Sequence, residues 1–127
     1  MAKKKRMRAT DLAVVITAAE KVAVLSDVFL AVKKKRFEID QSSITLTDTQ
    51  RRLLNAEYDV ARDAYYKGLN AFVDATEPAV HAIIAKIGET RSTLDSLAVK
   101  QENAARILEV ISSFVGLASK LVVLGTL

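Results

Sequence analysis

From Leu94 onward the chain grows steadily more apolar. No charge stands between Val110 and Ser119, and after Lys120 the sequence runs Leu-Val-Val-Leu-Gly-Thr-Leu. A helix of this composition must bury its surface against the rest of the domain, another subunit or lipid, because apolar area removed from water is worth about 25 cal/mol per Å2. Its uncharged core is about ten residues, short of the roughly 20 that a bilayer-crossing helix needs. Glu109, Lys120, Gly116 and Gly125 further disfavour a span. Leu108, Ile111, Phe114, Val115, Leu117, Leu121 and Leu124 are therefore the expected interface residues of this helix.

A second apolar stretch, Leu12 to Val32, has few interruptions and is flanked by Lys3-Lys4-Lys5-Arg6-Met7-Arg8 and by Lys33-Lys34-Lys35-Arg36. At about 100° per residue, Leu12, Val15, Ala19, Val22, Ala23, Leu25, Phe29 and Leu30 fall on one wide arc, opposite Thr17, Glu20, Lys21 and Asp27. The spacing of the flanking charges suggests a membrane span, but each interior charge costs about 2.5–3.5 kcal/mol at mid-membrane. An amphipathic helix capped at Thr10 or Asp11 is the better expectation. Asp11 and the Glu20-Lys21 pair likewise argue against a cleaved signal peptide, so a cytoplasmic setting is favoured.

At 127 residues, half of them apolar and 27% charged, the chain has the composition of one folded domain. The absence of cysteine excludes disulfides and thiolate chemistry. The formal charge of +4 is unevenly placed: residues 1–36 balance at +7 and residues 37–127 at −3. The basic quarter makes Lys3, Lys4, Lys5, Arg6, Arg8, Lys33, Lys34, Lys35 and Arg36 candidates for binding an anionic partner.

Between these stretches, residues 37–48 are poor in helix formers and read as loop. The alternation in Ser43–Thr47 has no second strand to pair with. Thr47 and Gln50 form a capping box. The stripe Leu53, Leu54, Ala61, Ala64, Tyr65, Gly68, Leu69, Phe72 and Ala75 then predicts a long amphipathic helix. Pro78 ends it and suits the first turn of the next, for which Thr76 is a candidate cap. Gly88–Ser92 is the expected hinge before the last helix. The fold predicted is all-α: a basic lead over residues 1–9, then an antiparallel bundle of three to four long helices at about 10–37, 49–75, 77–87 and 93–125.

Catalytic signals are thin. The single histidine, His81, allows no multi-histidine metal site, and Asp74, Glu77 and His81 flank a helix-breaking proline. The four glycines form no phosphate-binding loop. Glu57 falls inside an apolar stripe and is expected to snorkel to its edge or pair with Arg51, Arg52 or a basic residue of the first helix, while Gln101 is expected to be a buried polar residue fixing helix register. No enzyme, cofactor, metal or small-molecule substrate is expected. The leading expectation is a helical interaction or assembly protein, self-associating or meeting a helical partner through its C-terminal and first helices. The alternatives are docking on an anionic membrane surface and, third, nucleic-acid binding.

Overall fold

The computed structural model describes residues 16–72 and 78–125. The fold is all-α. The described residues form four α-helices: α1 (Ala18–Gln41), α2 (Asp48–Ala71), α3 (Pro78–Ser96) and α4 (Ala104–Gly125), with a 3-10 turn at Gln101–Asn103 before α4.

Local chemistry sets most of the helix ends. Thr17 caps α1 by accepting a hydrogen bond from the Glu20 backbone N–H at 3.1 Å, and the Glu20 carboxylate accepts one from the Thr17 N–H. Thr47 and Gln50 make the same reciprocal box at the start of α2. Each box satisfies two backbone donors that a helix N-terminus would leave open. The expected Thr10 or Asp11 cap lies outside the described residues. The described α1 starts at Ala18, capped by Thr17, whose Thr-x-x-Glu signature is the same as that of the box expected at residue 47 except for Glu in place of Gln. Pro78 opens α3, where its missing N–H costs nothing. Thr76 lies outside the described residues.

The expected hinge at Gly88–Ser92 is not a hinge. α3 runs unbroken to Ser96. Gly88 is exposed, and a glycine inside a helix costs only about 0.5–1 kcal/mol. That cost is offset by Val80, Ile87 and Leu94, all buried on one face. The break falls instead at residues 97–100. There the Asn103 side chain donates to the Ala98 carbonyl at 2.8 Å and the Ser96 hydroxyl to that of Thr93 at 2.8 Å. Such side-chain bonds compete with the helical ladder.

Cross-helix contacts fix the topology. Leu25 meets Gly68, Phe29 stacks on Tyr65, Arg36 lies over Tyr58 and Arg51 pairs with Asp40, so α1 and α2 run antiparallel. α3 and α4 form the second antiparallel pair. α2 and α4 lie side by side and parallel, with Val60 and Ala64 beside Ser119 and Val122 and Phe72 against Gly125. Gly68 permits the closest approach: a Cβ there would lie 2.6 Å from Leu25 Cδ1. At the opposite end, the Gln101 amide accepts from the Thr45 N–H at 2.7 Å and donates to the Thr45 carbonyl at 3.0 Å, tying the two connections together. Gln101 is exposed. It fixes register between loops, not within a helix core as expected.

The core face of α1 is rotated from the expected arc. Its buried positions are Lys21, Leu25, Val28, Ala31, Val32, Lys35 and Ile39. Ala19, Ala23 and Leu30, expected inside, are exposed. Lys21, expected on the polar side, is wholly buried. The alternating three- and four-residue steps of Lys21, Leu25, Val28, Val32, Lys35 and Ile39 form a regular core seam with a lysine near each end.

Candidate interaction surfaces

The two seam lysines do the same job at opposite ends. Lys21 Nζ lies 3.4 Å from the carbonyl of Gly125, the last residue of α4, and 5.4 Å from the centre of the Phe72 ring. Lys35 Nζ donates to the Leu97 carbonyl at 3.2 Å, one residue past the end of α3, and pairs with Glu38 at 3.2 Å. Helix C-termini present unsatisfied carbonyls and the negative end of the helix dipole, so each ammonium meets the local field that best supports a buried cation. Sequence reasoning placed Lys35 among the anion-binding candidates. Its burial removes it from that set.

The rest of the basic run is spread around the helix. Lys33 and Lys34 are exposed. Arg36 turns toward α2, its guanidinium 4.5 Å from the centre of the Tyr58 ring. Lys3, Lys4, Lys5, Arg6 and Arg8 lie outside the described residues. The carboxylates of α1 are engaged elsewhere: Glu20 in its capping box, Asp27 with Arg91, Glu38 with Lys35 and Asp40 with Arg51. The hydrogen bond from Arg91 to Asp27 holds the Arg91 guanidinium above its ordinary pKa, against the opposing effect of burial, and the charges of Asp27 and Asp95 add to it. Arg91 Nε is 3.4 Å from Asp95, an ion-pair distance without hydrogen-bond alignment.

The expected interface residues of α4 are mostly core. Leu108, Ile111, Phe114, Val115 and Leu121 are buried within the chain's own fold, and Leu117 and Leu124 are half-buried. Their apolarity is therefore met within the chain, against α2, α3 and α1. Gln101–Gly125 is long and apolar enough to cross a bilayer by length and composition, but 44% of its most apolar window is buried inside the fold.

What stays exposed is elsewhere. On α4, Val123 is 62% exposed. It stands between two shallow depressions, one with Ile83, Lys120 and Leu124, the other with Val60, Ala64 and Val122. On α2, Leu53 and Val60 are about 40% exposed (40% and 41%) and share a stripe with exposed Ala56, Asp63, Lys67 and Ala71. On α1, Leu30 is 54% and Phe37 63% exposed. The exposure of Leu30, Leu53 and Val123 left no mark in the sequence, since each sits in a stretch that is apolar throughout or on an apolar stripe, whereas Val60 fell off that stripe and Phe37 in the expected loop.

No convergent catalytic group appears among the described residues. His81 is half-buried with its Nε2 unpartnered, and no cluster of His, Asp or Glu is close enough to hold a metal ion. Asp74 and Glu77, its expected neighbours, lie outside the described residues. Glu57 is half-buried at the stripe's edge, and Arg51 pairs with Asp40 instead. Comparisons with protein-family models, with curated proteins and with solved structures return no match.

Proposed function

We propose that this chain is a non-enzymatic assembly protein that self-associates through the outer face of its parallel α2–α4 pair. The observation that carries the reading is the ridge at Val123, whose side chain stands out between two apolar depressions and beside the exposed Val60. A second copy offers the complementary shape. An isologous contact places residue i against j and j against i. Asp63 and Lys67, one turn apart on the same stripe and both exposed, would then meet with opposite charge when two α2 helices cross antiparallel. The non-enzymatic part rests on the make-up of these depressions, which carry valines, an isoleucine, a leucine and small residues around Lys120 on one side and the oppositely charged Asp63 and Lys67 on the other.

Size-exclusion chromatography with light scattering tests this at micromolar concentration. The expected result is a dimer or larger closed assembly that V60R/V123R converts to a folded monomer. A monodisperse wild-type monomer sinks the reading.

A further inference from the structure

The outer face of α1 carries a different chemistry from the α2–α4 face. Leu30 and Phe37 are seven residues apart, about two helical turns, and so point the same way. Between them stand Lys33 and Lys34, both exposed and neither within ion-pairing distance of a carboxylate among the described residues. The nearby acids do not offset them. Asp27 is held by Arg91, Glu38 by Lys35 and Asp40 by Arg51, which leaves the field around Phe37 positive.

We propose that this face of α1 docks on an anionic phospholipid surface, with Leu30 and Phe37 entering the interface and Lys33 and Lys34 meeting the headgroups. Three observations favour lipid over nucleic acid or an acidic protein. The apolar residues are both exposed on one helix face two turns apart, where a planar fluid surface can reach both together. The two lysines lie between them, where long aliphatic stems lie along the apolar surface while the ammonium groups reach outward. Arg36, the residue best suited to bidentate phosphate contact, is turned aside onto Tyr58. A nucleic-acid groove would use Phe37 for stacking but would have no role for Leu30.

The test is co-sedimentation of the full chain with phosphatidylcholine vesicles, with and without phosphatidylglycerol, at low and high salt. Binding is expected only with the anionic lipid and is expected to weaken with salt. K33Q/K34Q is expected to lower affinity about 30-fold, at roughly fivefold per lysine near a charged surface. L30A/F37A, at the exposed positions, is expected to lower it about tenfold or more while keeping the wild-type circular dichroism and melting temperature. The proposal is overturned by absent binding at low salt, or by binding that neither double substitution weakens, which would assign it to residues outside this face. It is equally overturned if a DNA or RNA oligonucleotide binds as tightly and loses affinity in K33Q/K34Q but not in L30A/F37A. V60R/V123R, which tests self-association, is expected to leave vesicle binding per chain in place, so the two proposals fail separately.

Discussion

Lysine is rarely buried because removing its charge from water costs several kcal/mol, yet α1 places Lys21 and Lys35 at core positions. The compensation comes from other helices: Gly125 and Leu97 supply carbonyls at or just beyond C-termini, where the local potential is negative. At Lys21 the Phe72 ring adds a cation–π contact, and Gly125 leaves room for both, since a Cβ there would lie 2.8 Å from the Phe72 ring and 3.1 Å from Lys21 Cδ and would force them to shift. The site thus couples three chain segments through one ammonium. Lys21→Ala removes the packed stem and leaves the Gly125 carbonyl without its donor. Loss of both should cost about 2–4 kcal/mol, measurable as a lowered urea midpoint with an unchanged m-value. A change below about 0.5 kcal/mol would show that the stem alone matters little and that the ammonium is readily replaced by water.

At the scale of elements, local grammar and tertiary packing divide the work visibly. The Thr47–Gln50 box, the Leu54, Ala61, Ala64 and Gly68 part of the α2 stripe and Pro78 at the first turn of α3 were legible because each depends on residues within one or two turns, whereas Leu53 and Leu69, expected in that stripe, are exposed. The Thr17–Glu20 box carried an equally local signal, but the apolar run beginning at Leu12 obscured it. The rotation of the α1 face was not legible, because hydrophobic counting puts Lys21 and Lys35 outside, and only the ends of α3 and α4 make them core residues. Gly88 was overweighted for a related reason. Its backbone freedom is real, but buried Ile87 and Leu94 and the pairing of Arg91 with Asp27 hold the helix through it. A Cβ at Gly88 would meet nothing within 4 Å. Gly88→Ala should therefore stabilise the protein by about 0.5–1 kcal/mol, raising the melting temperature by a few degrees, about 2–4 °C, in calorimetry. A lower melting temperature would show that α3 bends at this position after all.

For the whole molecule, the question is where apolar surface goes. The sequence required α4 to bury its apolar surface against the domain, another subunit or lipid, and most of that surface is absorbed by the fold: Ile107, Ile111, Phe114 and Leu121 are completely buried. The residue that escapes is Val123, joined by Val60 and Leu53 on the neighbouring helix. If that face closes against a second copy, folding and association become one equilibrium, and stability depends on protomer concentration. For a chain of this length, the unfolding enthalpy per dimer is on the order of 170 kcal/mol, so each tenfold rise in concentration should raise the melting temperature by about 3 °C. V60R/V123R should abolish that dependence while costing the monomer little, because surface substitutions of this kind usually stay within about 0.5 kcal/mol. L30A/F37A on α1 should leave the dependence intact. A wild-type melting temperature that stays flat across a hundredfold concentration range, about two such steps, would overturn self-association through the Val123 face.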